Sequence, residues 1–158
     1  MERIKMAVVG AGIWGENHAM AWSTYPIVDL VCICDLDGAK AKALADKVGC
    51  NHTTDIEQLA NSDIVAVGIA TPDHTHKAPA LRMIEAGKHV LIEKPLTTDV
   101  ASARAIVEAA ERQGVKLMVD FQLRWHPQYM AAKGSMESGE LVAWLASFVG
   151  EHGLALLH

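Results

Sequence analysis

Lys5-Met-Ala-Val-Val-Gly10-Ala-Gly12-Ile-Trp-Gly15 is the stretch that decides how this chain folds. An apolar run long enough for one buried strand leads directly into Gly10-x-Gly12-x-x-Gly15, and a helix-like segment follows. Asp35 ends the next apolar run, twenty residues beyond Gly15. A strand–helix–strand unit that binds a dinucleotide needs a carboxylate for the adenosine ribose at that point. Gly10 allows a tight turn, Gly12 lets the backbone approach a pyrophosphate, and Gly15 lets the helix lie close on the strand. The helix beginning near Trp14 then turns free N–H groups and its positive dipole end toward the phosphates. The plainer reading is of glycines that only tighten a turn and an aspartate that only caps a strand. It leaves the agreement of order and spacing unexplained.

Apolar runs and helical patterns alternate along the rest of the chain. Strands are expected at Lys5–Val9, Val28–Cys34, Ile64–Ile69, His89–Ile92 and Lys116–Val119. Asp37 reads as the cap of a helix running to Lys47, with Gly49 just past its end. Thr54-x-x-Glu57 reads as the capping box of a short helix before Asn61. Another helix is expected from about His76 to Ala86, closed by Gly87. Asp99–Gln113 has the clearest helical pattern, with Val100, Ala103, Ile106, Val107 and Ala110 as its apolar face and Gly114 at its end. Such alternation implies an α/β fold: a doubly wound parallel sheet of the Rossmann dinucleotide-binding kind, with helices on both faces. After Pro127 a helix is expected to about Glu137. Gly139-Glu140 then turns into Leu141–Val149, which reads as a strand leading into a second domain that is not there. The expected division is a dinucleotide-binding domain over 1–121 and a remnant over 122–158, with the second domain truncated. An unpaired apolar strand tends to pair with another chain, so a homo-oligomer is expected; a tail folded back or left disordered would give a monomer.

Composition narrows the class. At 158 residues, 51% apolar and 21% charged, the chain suits one globular domain. A formal charge of −5 with scattered Lys and Arg argues against non-specific nucleic-acid binding. No run approaches the ~18 apolar residues of a membrane span. Arg3 and Lys5 ahead of Met6–Trp14 imitate a short secretory signal, yet that stretch holds glycines, stops at Glu16 and is explained as strand plus phosphate loop. Three cysteines cannot pair completely, and Cys32 and Cys34 fall on one face of a buried strand as small reduced core residues. A soluble, cytoplasmic protein is expected.

Further motifs stand at the ends of the later strands, where open α/β sheets bind ligands. They are Ala70-Thr71-Pro72-Asp73-His74-Thr75-His76, then Ala86-Gly87-Lys88-His89-Val90-Leu91-Ile92-Glu93-Lys94-Pro95, then Phe121-Gln122-Leu123-Arg124-Trp125-His126-Pro127. In this order they resemble the glucose–fructose oxidoreductase, inositol dehydrogenase and rhizopine-catabolism family (Gfo/Idh/MocA), over about Lys5 to Leu141. Many folds share the glycine fingerprint; the series Thr-Pro-Asp-x-x-His, Gly-Lys-His-Val, Glu-Lys-Pro and Arg-x-x-Pro is far more specific.

The resemblance implies a site. Gly10, Gly12, Ile13, Trp14 and Gly15 would form the loop around the cofactor pyrophosphate, and Asp35 would hold the adenosine ribose. Ala70, Thr71, Pro72 and His76 match the loop that runs past the cofactor. Glu93 and Lys94 match the motif at the nicotinamide end, where the lysine contacts cofactor and substrate hydroxyl. Lys94 is thus the catalytic candidate, since a desolvated ammonium lowers the energy of a developing alkoxide. Glu93 tunes that charge as a neighbour. Arg124 matches an arginine that also borders the cofactor. Without the family order, Glu93-Lys94 would read as a solvated pair and Arg124-Trp125-His126 as a packed strand end. His18 reads as an occupant of the first helical turn. His74 and His76 lack a Cys or carboxylate cluster at ligand spacing, so no metal is expected.

The implied activity is that of an NAD(P)-dependent oxidoreductase. In the parent enzyme, hydride would pass between the nicotinamide dinucleotide and a carbinol carbon of a sugar, polyol or related metabolite. NAD is expected in preference to NADP, because Asp35 would repel a 2′-phosphate and no Lys or Arg follows until Lys40. The family's proton-transferring histidine and its neighbouring aspartate come from the second domain, and His152 and His158 match no motif replacing it. Cofactor binding with little turnover is therefore expected. The alternative is a non-enzymatic NAD-sensing or partner-binding module. A methyltransferase also pairs a glycine loop with an acid ending strand two, but Val8-Val9 occupy the place of its acidic residue before the loop.

Overall fold

Strand β1 (Ile4–Val9) is the apolar run ahead of the glycines, and Ala7, Val8 and Val9 at its end are buried. Successive side chains of a strand face opposite sides. Ala7 and Val9 accordingly enter one core cluster and Val8 the other. A strand buried on both faces belongs to a parallel sheet covered by helices on each side. The computed structural model describes residues 3–143. It adds β2 (Val28–Cys34), β3 (Asn51–Thr53), β4 (Ala66–Ile69), β5 (His89–Glu93) and β6 (Leu117–Asp120). All pair in parallel, in the order β3-β2-β1-β4-β5-β6. Connections lead away in opposite directions from β1 and β4, so the ligand crevice lies beyond the carboxyl ends of those two strands.

The helices are α1 (Ile13–Thr24), α2 (Gly38–Val48), α3 (Ile56–Ala60), α4 (Lys77–Glu85) and α5 (Val100–Gln113), with a 3-10 turn at Asp73–Thr75. Local chemistry sets the ends of α2: the Asp37 carboxylate accepts from the Ala39 and Lys40 N–H groups, and Gly49 closes the helix in the left-handed region at φ 77°. Burial pushes the Cys34 thiol up to about 12, with Cys32, Asp35 and Asp55 adding to the effect. Cys32 and Cys34 border the same core cluster as free thiols.

Three expectations about the sheet and its helices need correction. The capping box at Thr54 is absent: Asp55 is the cap of α3 and accepts from the Glu57 N–H. Glu57 does not reach back, because both its oxygens accept from Arg82 of α4 at 2.6 Å. On α5 the buried stripe is Ser102, Ile106, Ala109 and Ala110, whereas Val100 and Val107 are exposed. Small residues at 102, 109 and 110 let the helix backbone approach its neighbours, and that close contact outweighs the larger valines. Asn51–Thr53 was not expected as a strand, being short and polar; it is held at the sheet edge by pairing along β2.

Contacts divide the chain into two units, the first ending at Asp120 and the second beginning at Phe121. The second contains a 3-10 turn at Gln122–Trp125 and α6 (Pro127–Glu137). The expected strand from Leu141 is contradicted where it is described. Residues 140–143 are helical, and the Ala143 N–H donates to the Gly139 carbonyl at 3.0 Å. No strand stands among the described residues of this unit to pair with an extended segment. The rest of that expected strand, 144–149, and His152 and His158 lie outside the described residues. Among the described residues no helix is long and apolar enough to cross a membrane.

Candidate functional site

The glycine loop is built by close contact. Gly10 has φ +103°, and a Cβ there would lie 2.5 Å from the Ala70 carbonyl oxygen. A Cβ on Gly15 would come within 1.8 Å of the Gly10 oxygen, so the first turn of α1 can rest on the loop only with glycine at that position. Gly12 differs: a Cβ would meet nothing within 4 Å. It is the N-cap of α1 and makes no side-chain capping bond, while Ile13 and Trp14 beside it are exposed. The N-terminal N–H groups of α1 thus face outward beside an open backbone, the arrangement that receives a phosphate.

Asp35 follows β2. Its Oδ2 accepts from the Ala11 N–H at 2.7 Å and its Oδ1 from the Asp37 N–H at 2.8 Å. Each oxygen keeps a lone pair for a further donor. The carboxylate is therefore tied to the glycine loop at a fixed angle. Nearby cations are already engaged: Lys40 Nζ lies 3.8 Å from Asp37, and Lys47 Nζ lies 2.5 Å from Glu16.

Beyond β4, the Ala70 N–H donates to the Val9 carbonyl at 2.8 Å, and Thr71 and Pro72 lead into the 3-10 turn. His76 is fully buried, with Nδ1 3.0 Å from the Pro95 carbonyl oxygen and Nε2 2.8 Å from that of Thr71. It clamps the Thr71 loop to the turn after β5, where the Lys94–Pro95 peptide is cis. Lys94 Nζ stands 5.6 Å from the centroid of the Trp14 ring. Glu93 is buried; its Oε2 accepts from the Lys94 N–H at 3.2 Å, and its Oε1 lies 3.0 Å from His18 Nε2. Asp120 Oδ2 is 3.8 Å from the same nitrogen.

Residues Gly10 to Gly15, Asp35, Ala70 to Pro72, Glu93 and Lys94 all lie at or just past the carboxyl ends of β1, β2, β4 and β5, with His76 clamping that edge. Arg124 belongs to the second unit, where its guanidinium lies 5.7 Å from the Phe121 ring. His18 was underrated as an occupant of the first turn. It stands in the second turn of α1, three residues past Gly15 and on the side that reaches β5; that spacing was the available signal. The residues fit a dinucleotide on their own geometry. Gly12 leaves room for the backbone to approach it, the first turn of α1 has no side-chain cap, and Thr71 Oγ1 is buried with no hydrogen-bond partner.

The family model for an oxidoreductase family with an NAD-binding Rossmann fold, Gfo/Idh/MocA, matches residues 4–121. The chain belongs to the Gfo/Idh/MocA family. It is 38% identical over 144 residues to inositol 2-dehydrogenase of Mycolicibacterium smegmatis, a match covering 89% of this chain and 42% of that one. Its fold is similar to that of a protein from gentamicin A biosynthesis solved in complex with NAD, at TM-score 0.85 and 34% identity, covering 89% of this chain and 40% of the other. It is also similar to a 3-ketoreductase from Actinomadura kijaniata solved with NADP, at TM-score 0.81 and 28% identity, covering 87% and 43%. The chain spans about two fifths of the length of these Gfo/Idh/MocA proteins and carries the family's nucleotide-binding Rossmann domain.

Proposed function

We propose that this chain binds NAD in preference to NADP, as the nucleotide half of a dehydrogenase acting on a sugar, polyol or related metabolite. The observation that carries the reading is the fixed Asp35 carboxylate beside the open glycine loop. Its two oxygens suit the 2′- and 3′-hydroxyls of an adenosine ribose, and the uncapped start of α1 suits the pyrophosphate. Gly10, Gly12, Ile13, Trp14 and Gly15 would surround the phosphates, and Ala70, Thr71, Pro72 and His76 would border the dinucleotide. Nicotinamide, when bound, supplies the carbon that gives or accepts hydride. Lys94 would donate to the reacting oxygen and stabilise negative charge there. Glu93 would hold the backbone of that lysine, and Arg124 would add a cation at the border. The similarity to inositol 2-dehydrogenase supports a polyhydroxylated substrate for the whole enzyme. For these 158 residues alone we assign cofactor binding with little turnover, since none of them matches the family's proton-transferring histidine and aspartate. Three free cysteines, with burial raising each thiol, suit a reducing cytoplasm.

Titration with NADH, NADPH and S-adenosylmethionine tests the reading. NADH is expected to bind tightest. Equal or tighter binding of NADPH would refute the preference, and tighter binding of S-adenosylmethionine would refute the class.

A further inference from the structure

We propose that His18 is a positioning residue that fixes Glu93 and, through it, the backbone at Lys94, joining the helix of the phosphate loop to the lysine-bearing turn. The importance of Lys94 rests on the function proposed above; the geometry of the link does not.

The Glu93 side chain is only 4% exposed, and among the described residues no Lys or Arg nitrogen lies within 4 Å of it. A carboxylate removed from water needs donors. Two are present, and they come from different parts of the fold. Oε1 faces His18 Nε2 at 3.0 Å, across 75 residues of sequence, and Oε2 accepts from the Lys94 N–H at 3.2 Å. An ionised carboxylate only accepts, so the Nε2 proton of His18 points to Glu93. Asp120, at 3.8 Å from the same nitrogen, is too far for a hydrogen bond but adds an attraction that keeps the N–H turned inward.

The imidazole is held in its turn. Its ring lies 5.4 Å from that of Trp22, one turn further along α1. Trp22 rests on β4 at Gly68, where a Cβ would stand 2.4 Å from the indole. Removing the His18 donor would leave one oxygen of a buried carboxylate unpaired, and Glu93 would turn toward water and release the Lys94 N–H. Asn or Gln would serve differently here. The amide nitrogen of Gln reaches about as far as Nε2, so His18→Gln keeps the donor, whereas His18→Leu keeps the bulk and removes it.

Residue-resolved amide exchange by NMR on the whole chain, without nucleotide, is the test. In His18→Leu the Lys94 N–H should exchange about tenfold faster, the loss of one hydrogen bond of ordinary net strength. The amides of Val90, Leu91 and Ile92 should keep their rates, and His18→Gln should restore the Lys94 rate. The Lys94 Cε proton signal, displaced by the Trp14 ring, should move in His18→Leu and not in His18→Gln. An unchanged Lys94 rate in His18→Leu, acceleration spread along β5, or failure of Gln to rescue would overturn the proposal. On the unmodified chain, the imidazole nitrogen spectrum should show a proton on His18 Nε2. A bare Nε2, or one that shifts with stoichiometric Zn²⁺ and so marks the cluster as a metal site, overturns it even if His18→Leu does not fold. A chain that failed to bind NADH would end the proposed function and leave these readings able to decide the link.

Discussion

In the proposed complex, Asp35 would act on nucleotide choice through its lack of freedom. Both oxygens are already bonded to backbone N–H groups, at 2.7 and 2.8 Å, so the carboxylate cannot swing away from a 2′-phosphate. Two like charges ~4 Å apart at a partly solvated site cost up to ~4 kcal/mol before screening. NADH should therefore bind at least about tenfold more tightly than NADPH, a gap of ~1.4 kcal/mol. Asp35→Ser should narrow that gap by improving NADPH binding; fluorescence titration of both nucleotides reads the two effects. Lys94 should behave in the opposite manner. In the proposed complex, affinity would be spread over backbone phosphate contacts and Asp35, whereas Lys94 would stand at the reacting end, so Lys94→Ala should change NADH affinity by less than about tenfold. A larger loss in the same titration would move Lys94 from the chemistry to the anchoring of the cofactor. The placement of Asp35 and Lys94 at one edge of the sheet was legible because their motifs are short and ordered. His18 was not: its partner lies 75 residues away, and only the folded sheet brings the two together.

At the scale of elements, ends were easier to read than faces. Helix α2 carries its own punctuation, Asp37 at one end and Gly49 at the other, and both act where the sequence puts them. Helix α5 likewise starts at Asp99 and ends at Gly114. Its buried face was misread because packing selected Ser102, Ala109 and Ala110 for close approach, which a count of large apolar residues misses. Strand β3 was invisible because three polar residues carry no periodicity, and its pairing along β2 is decided outside the segment. The cap of α5 yields a pH prediction. Hydrogen bonds from the Ser102 side chain and backbone hold the Asp99 carboxyl below the ordinary carboxylate range, with a smaller contribution from Lys77. A carboxyl lowered in the folded state stabilises the fold above its unfolded value of about 3.9, and that contribution is lost as pH falls through the folded value. Asp99→Ala should therefore lower Tm at pH 7, and the difference from the parent chain should shrink as the pH is taken below about 4. A difference that persists undiminished in acid would show that the lost interaction does not depend on the charge of the carboxylate.

At the scale of the whole molecule, the two units differ in how they treat apolar side chains. The first buries its aliphatic residues in clusters on both faces of the sheet. In the second, Leu123, Trp125, Tyr129, Met130, Met136 and Val142 are each more than half exposed. Scattered apolar residues on a surface need no explanation, but six large ones exposed within about twenty positions concentrate apolar surface in one segment. The segment 141–143 is helical, so an unpaired strand edge no longer supplies the reason for association; exposed side chains do. Burying ~400 Å² of such surface against a second copy would be worth on the order of 10 kcal/mol before the costs of association. With an association cost of about 4 kcal/mol, the low end of the range, about 6 kcal/mol remains, which corresponds to a dimer with a Kd of tens of micromolar. Light scattering on the purified chain should therefore give a mass above the monomer that falls on dilution. A chain ending at Asp120, which lacks these residues, should scatter as a monomer and still bind NADH, since the glycine loop, Asp35 and Lys94 all precede that point. Two monomers would show that these side chains stay exposed without consequence, whereas two oligomers would place the association surface on the sheet domain itself.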